Sequence, residues 1–517
     1  MRLNNGQQSD SDWVVHKVGG TAVGKFPEKV VDAIVRSELN GDLPVVVCSA
    51  RSSRTKALGT TGKLLEVYKT LQYVSVATGN INRWNFMFDR MCKIIRSIRD
   101  EHLSAVHSLV KSAEIRRQTS KQIEDDCQGL LDYICIFRFN PFDINSRSKD
   151  SLLSVGEILS CRVITAMLLD RNVDAVFVSL CSAVPAGDLH RLQPGWFEEA
   201  AEAIGEKLQL HHGKVIVVTG FFGAVPGSLI DSSIGRGYSD VCAALVGIGL
   251  QAKRINIWKE VDGIFTADPR EVADARCLST ITSSEVAALT FYGSEVVHHL
   301  ALTLATKACP PIQMSVRNIQ KPSASGTLII PNPAKPTSKQ LIAHLGSGEN
   351  GGHLAVQPPL ITGHVSPTGI TVKRDVAVIE ITGNGNSLAC DFFANIFAIL
   401  ASHDVAADLV CITESQISMA INTVGMSAER MEDFQLELER EGAVSIGFNR
   451  AILSLVGPTS KATTAIAGQM FSALGKQNIL VEMISKGRDQ MNLSCVVPVN
   501  AASAAMKILH SSFFSLQ

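Results

Sequence analysis

Lys17 stands beside a glycine pair in Lys17-Val18-Gly19-Gly20-Thr21, directly after an apolar run. Adjacent glycines let backbone N–H groups face an anion and let a phosphate approach without a Cβ clash, and a neighbouring lysine can neutralise charge on a transferring phosphoryl group. The segment is not a Walker A loop, because G-x-x-x-x-G-K-[ST] is missing. A tight strand-to-helix turn would use the same glycines, so this segment by itself leaves both readings open. A second cluster comprises Thr219-Gly220-Phe221-Phe222-Gly223 and Gly235-Arg236-Gly237-Tyr238-Ser239-Asp240. Arg236 offers a planar fork suited to a carboxylate. Asp240 is either a working carboxylate or an N-terminal helix cap. Glu157, in Ser154-Val155-Gly156-Glu157, is either a binding acid or a first-turn complement to a helix dipole. The twelve cysteines include no C-x-x-C pair, which points to neither a zinc site nor a disulfide framework. Cys48 and Cys242 lie in apolar runs, where a reduced cysteine acts as a small hydrophobe, so a reducing, cytoplasmic location is expected.

These residues need elements to hold them. Strand candidates at 13–18 and 43–48 flank a helical pattern at 27–39, the opening of an α/β fold with a parallel sheet. Residues 61–131 carry apolar positions every three or four residues and read as a helical block. Alternation resumes with a helix at 152–169, strands at 175–179, 215–219 and 254–258, and helices at 194–209 and 239–250. A Pro/Gly/Ser-rich zone then precedes a weak repeat of two small α+β modules. The expected division is a catalytic domain at 1–330, a linker at 331–370, and modules at 371–440 and 450–517. Lys+Arg 48 against Asp+Glu 49 leaves a net charge of −1, so no nucleic-acid or anionic-membrane partner is expected. No apolar run approaches the ~18 residues of a membrane span. The charged stretch 429–440 reads as a solvated helix face.

Taken in order, KxGGT at 17–21, SxGE near 157, TGFxG at 219–223, GRGxSD at 235–240, IWKEVDGIFTADPR at 257–270 and YGSEVVH at 292–298 resemble the aspartate kinases of the amino acid kinase family. The tandem modules resemble ACT domains, and SARSSRTKALGTT with GRGYSD resembles the fungal branch, including a paralogue of the fusaric acid type. The resemblance implies an amino acid kinase fold, a central mainly parallel sheet between helices, followed by two ACT modules. It implies ATP-dependent phosphorylation of the L-aspartate β-carboxylate, with Mg²⁺ held mainly through ATP. Lys17, Asp240 and Arg236 would be catalytic. Ser49, Thr55, Glu157, Phe221 and Arg236 would hold aspartate, Glu157 facing its ammonium. Gly19, Gly20, Lys25, Lys259, Glu260, Phe265, Asp268, Arg270, Glu295 and Val296 would hold the nucleotide. Asn386, Ile466 and Asn492 would be regulatory, with threonine as feedback inhibitor and a homodimer or larger assembly formed through the ACT modules. His298 reads as structural. The family pattern KFGGTS is here KVGGTA, with Val18 and Ala22, and Asp391, Lys486 and Gln490 depart from common ACT residues. The alternative is a catalytically weak ACT sensor with a kinase-like body.

Overall fold

The computed structural model describes residues 12–39, 41–52, 59–76, 81–138, 144–184, 195–223, 237–293, 296–332, 367–384, 389–457, 463–487 and 491–514. Strand β1 (Trp13–Val18) is buried at every position, as a β-branched run covered on both faces must be. Next come α1 (Gly20–Lys25), a π-helical turn (Lys29–Val35), α2 (Arg36–Glu38) and β2 (Leu43–Cys48). The helical block resolves into α3 (Thr60–Val76), α4 (Ile81–Leu109) and α5 (Ala113–Ile136), followed by α6 (Ser146–Asp170). Asn145 starts α6 by accepting the N–H groups of Arg147 and Ser148, while Ser148 Oγ accepts the Asn145 N–H. By length and composition α6 could cross a membrane, contrary to the sequence expectation, yet 78% of its apolar window is buried, which makes it a core helix.

After β3 (Ala175–Val178), α7 (Trp196–Gln209) and β4 (Val215–Thr219) come α8 (Tyr238–Gly249), β5 (Arg254–Lys259) and β6 (Thr280–Thr282). Then follow α9 (Ser283–Phe291), α10 (His299–Lys307), β7 (Gln313–Asn318) and β8 (Thr327–Ile330). The eight strands form one sheet in the order β3-β4-β2-β1-β5-β7-β8-β6. All ladders are parallel except β7 with β8, so the expected mainly parallel sheet is what forms. The chain runs from β1 outward to β2 on one side and returns as β5 on the other. The crevice at the carboxyl ends of β1, β2, β4 and β5 is therefore the topological switch point where open α/β sheets bind ligands.

Helices α7 and α8 touch backbone to backbone. A Cβ on Gly205 would lie 2.3 Å from Gly249 O, and one on Gly249 would lie 2.1 Å from Ala201 O. Gly249→Ala should therefore destabilise the protein by about 1–3 kcal/mol, through helix separation rather than lost contacts. Thermal melting checks this; an unchanged midpoint would mean the helices part freely.

The chain forms two units, and the N-terminal one ends at Pro331, with two segments before that point grouping elsewhere. Phe265–Arg276 and Ser284–Glu295 group with the C-terminal unit, while 1–264, 277–283 and 296–331 form the N-terminal one. The reason is packing. Ala267 and Val272 are buried in a C-terminal core with Leu453, Met470 and Leu509, Thr266 Oγ1 meets His510 Nε2 at 3.0 Å, and Arg276 donates to Phe514 O at 2.7 Å.

The C-terminal unit contains β9 (Gly369–Gly383), α11 (Ala389–Ser402), β10 (Ala407–Ile412), β11 (Gln416–Asn422), α12 (Ala428–Leu438) and β12 (Gly442–Gly457). It ends with α13 (Thr463–Lys476), β13 (Met483–Lys486), β14 (Met491–Pro498) and α14 (Val499–Phe514). Its six strands run β10-β11-β9-β12-β14-β13. The expected modules at 371–440 and 450–517 share strands: residues 376–383 of β9 pair with β11 and with 442–447, whereas residues 369–373 pair with 452–456. The change falls where Asp375 (φ 58) and Asn449 (φ 59) are left-handed and the β9–β12 register shifts. The module boundary thus crosses two continuous strands. In α12 the expected solvated face is present, with only Phe434 and Leu438 buried.

Candidate active site

The switch-point crevice is assembled by the described ends of the loops after β1, β2 and β4 and by the start of α8. After β1, an added Cβ on Gly20 would come within 2.2 Å of Ala50 O, so only glycine allows the first loop to lie against the one after β2. Ser52 N–H donates to Gly20 O at 2.9 Å and Ser49 N–H to Val18 O at 3.1 Å, stitching the two together. A Cβ on Gly19 would meet nothing within 4 Å, which leaves its backbone approachable from open space. After β4, Thr219 Oγ1 donates to Phe221 O at 2.7 Å and accepts from Leu180 N–H at 3.0 Å, fixing that turn. Gly237, at φ 100, admits the chain to α8, and Asp240 falls in the helix's first turn.

Lys17 Nζ lies 2.8 Å from Asp240 Oδ1, with both side chains buried. Burial would raise the Asp240 pKa, but Lys17 and then Lys259 outweigh it and hold the carboxylate below its ordinary range. Asp240 Oδ2 accepts the His298 backbone N–H at 3.3 Å, while His298 Nδ1 caps α10 by accepting from Leu300 N–H at 3.2 Å. His298 thus has the structural role expected of it. Ser49 Oγ donates to Ser239 Oγ at 3.0 Å.

Glu157 is 1% exposed and faces the same crevice from α6. Burial pushes its pKa up to about 8, against the hydrogen bond from Tyr238, the Lys17 charge and the backbone N–H groups of Phe221 and Ala50. Tyr238 OH donates to Glu157 Oε1 at 2.8 Å, and Oε2 is buried without a hydrogen bond of ordinary geometry. The crevice therefore offers a buried cation held by a carboxylate, a bare glycine backbone and, separately, an under-satisfied buried acid. One end suits an anionic group and the other an ammonium.

The structure thus brings Lys17, Gly19, Gly20, Ser49, Glu157, Phe221 and Asp240 together, with Lys259 within electrostatic reach of Asp240. Lys25 and Glu260 pair at 3.9 Å, both more than a third exposed, a contact of little energetic weight. Val296 belongs to the same unit. Phe265, Asp268 and Arg270 group with the C-terminal unit, and Asp268 and Arg270 bind each other at 2.6 Å, Arg270 being largely exposed. Thr55, Arg236, Glu295 and Asn386 lie outside the described residues. Ile466, expected to be regulatory, lies on the buried face of α13 with Thr463, Met470 and Leu474. Asn492, on β14, accepts from Ser494 Oγ at 3.3 Å.

Two residues escaped sequence reasoning. Arg51 ties three elements together, through its N–H to Ser160 Oγ at 2.9 Å and its guanidinium to Glu101 O and Gly24 O, each at 3.3 Å. Its place after β2, beside the expected Ser49, was the available signal. Tyr238 was visible only as an unusual letter in a glycine motif.

A mainly parallel sheet with this lysine–aspartate pair at its switch point defines an amino acid kinase, and residues 12–318 match that family while residues 453–513 match an ACT domain. The chain is 47% identical over 506 residues to aspartate kinase FUB3 of Gibberella moniliformis, covering 98% of both chains. It is 36% identical to the aspartokinase of Schizosaccharomyces pombe, over 96% of this chain and 92% of that one. The chain belongs to the aspartate kinase family. Its fold matches that of Escherichia coli aspartokinase III in complex with aspartate and ADP, with a TM-score of 0.69 at 22% identity, over 97% of this chain and 100% of the other.

Proposed function

We propose that this protein transfers the γ-phosphoryl group of ATP to the β-carboxylate of L-aspartate, giving 4-phospho-L-aspartate and ADP. The observation that carries the reading is the pairing, in one crevice, of the Lys17–Asp240 ion pair with the buried, under-satisfied Glu157. A substrate carboxylate oxygen attacks the γ-phosphorus as the bond to ADP breaks, so no side chain need act as nucleophile. The protein has to position the reactants and neutralise charge. Lys17 meets the transferring group, Asp240 aims Lys17, and the Gly19–Gly20 backbone cradles phosphate. Glu157 takes the ammonium, and Arg236 suits the α-carboxylate. Together these opposite charges distinguish an amino acid from a plain dicarboxylate. ATP enters as its magnesium complex. Magnesium needs few protein ligands and would be held mainly through the phosphates and water.

A coupled ADP-release assay with aspartate, glutamate or no acceptor tests the reading. Aspartate-dependent release supports it, and its absence would favour the ACT sensor with a kinase-like body. All twelve cysteines are free, which supports a reducing compartment such as the cytoplasm. The greater identity to FUB3 than to the S. pombe enzyme supports a role supplying aspartate-derived units to a secondary metabolite such as fusaric acid. Deletion that left the organism requiring threonine and methionine would instead assign it to amino-acid biosynthesis.

Threonine as an effector and pairing through the ACT modules belong to the same proposal. Millimolar threonine should raise the aspartate KM or lower kcat; if it left both unchanged in a steady-state assay, this chain would be released from that inhibitor.

A further inference from the structure

We infer that Tyr238 is a positioning residue for amino-acid recognition: its phenol fixes the Glu157 carboxylate so that Oε1 is occupied and Oε2 alone is offered to the substrate ammonium. The inference rests on the aspartate kinase reading of this crevice and names a determinant that the reading does not contain.

The geometry is specific. Glu157 comes from the middle of α6 and Tyr238 from the first turn of α8, and the phenol of Tyr238 donates to Glu157 Oε1 at 2.8 Å. Burial and the neighbouring Glu157 charge hold the phenol well above its ordinary pKa, so it remains a donor. Gly220 closes the same side: a Cβ there would lie 2.7 Å from Ser239 Cβ and 3.4 Å from Glu157 Oε1. The carboxylate therefore cannot turn its bonded oxygen toward bulk water without breaking the Tyr238 contact. A glycine at 238 would leave Oε1 without its side-chain donor. An ammonium has three donors and no preference between the oxygens of a freely rotating carboxylate, so restricting the acceptor to one oxygen fixes where the amino group, and with it the β-carboxylate, is placed.

Among the described residues, several groups face Glu157. Lys17 approaches from β1, Tyr238 and Cys242 from α8, Cys181 from the loop after β3, and Cys161 from its own helix, with Cys48 of β2 behind Cys161. Burial holds the Cys161, Cys181 and Cys242 thiols above their ordinary value, so they add no charge near neutrality. Asp150 acts on Tyr238, raising its pKa further. Among the described residues, Lys17 and Tyr238 are the side chains that favour the charged carboxylate, and Lys17 is also paired with Asp240.

Tyr238→Phe, which keeps the ring, tests this in the full-length protein. The KM for aspartate should rise about 10- to 100-fold at pH 7, the range for one hydrogen bond to a charged group, with kcat changed far less. Without the phenol donor Glu157 keeps its proton to higher pH, so the acid limb of kcat/KM should move upward. Succinate, which lacks the amine, should inhibit wild type and variant alike. In a Glu157→Gln background the same substitution should cost nothing further, a cycle that separates positioning from general damage to the fold. An unchanged KM and acid limb would overturn the inference. So would an equal loss of succinate affinity, which would mean that Tyr238 only shapes the pocket. If wild type shows no aspartate-dependent ADP release, the aspartate kinase reading itself fails, before any variant is compared.

Discussion

Lys17→Met should lower kcat by about 10³-fold or more, the upper end of what one preorganised electrostatic contact contributes to a transition state. The stem length is retained, so the loss is one of charge rather than of packing. Lys17 is 6% exposed and lies 2.8 Å from Asp240, which is itself buried, so the substitution also leaves a carboxylate unpaired in the core. Breaking a buried pair in this way costs on the order of 3–5 kcal/mol of stability. The two effects separate in the double variant Lys17→Met/Asp240→Asn, which removes both charges. It should regain most of the melting temperature while staying inactive. Activity of either variant within a few fold of wild type would remove Lys17 from the phosphoryl site.

Glu157→Gln should raise the KM for aspartate by about 10²-fold or more, because a buried ammonium would then face an amide instead of a counter-charge. The pH dependence gives a second signature. In the folded protein Glu157 titrates at about 8 rather than at its ordinary 4.5, because burial penalises the carboxylate. Between those values the folded state holds a proton that the unfolded state has released. The contribution of Glu157 to stability is therefore fully present below about 4.5 and is lost as pH rises through about 8. Ammonium binding needs the carboxylate, so aspartate affinity should rise over the same window in which ligand-free stability falls. Glu157→Gln should flatten both trends. Steady-state KM and melting temperature, each measured from pH 6 to about 9, check the pair; a wild-type KM independent of pH would show that Glu157 does not meet the ammonium.

Much of this site is legible in the sequence because its chemistry is attached to strand ends. Lys17 and the glycine pair stand at the end of the strand Trp13–Val18, and Thr219-Gly220-Phe221 follows the apolar run Val215–Val218, so a parallel sheet places both at one edge. Glu157 and Asp240 are different. Each was open to a bland reading as a helix-terminal acid, and the position of Glu157 mid-helix in α6, 1% exposed, excludes that reading for it. Asp240 does lie in a first turn, yet its oxygens are taken by Lys17 and the His298 N–H rather than by its own helix. Ile466 was singled out by resemblance alone, and its burial on one face of α13 is set by helical packing.

What the sequence determined by itself is the order of elements, the mainly parallel sheet, the family and the strand-end residues, since all of these follow from local pattern and adjacency. Only the tertiary structure decided that residues 265–276 and 284–295 fold with the C-terminal unit. It alone showed that β9 and β12 each run through both halves of the six-stranded C-terminal sheet, turning at Asp375 and Asn449. It also decided that Arg51 bridges to Glu101 and Gly24, and that Tyr238 closes on Glu157 across 81 positions of chain. The physical reason is common to all of them. Burial and hydrogen bonding are set by which surfaces meet, and no periodicity along a single segment encodes a partner that arrives from a distant one.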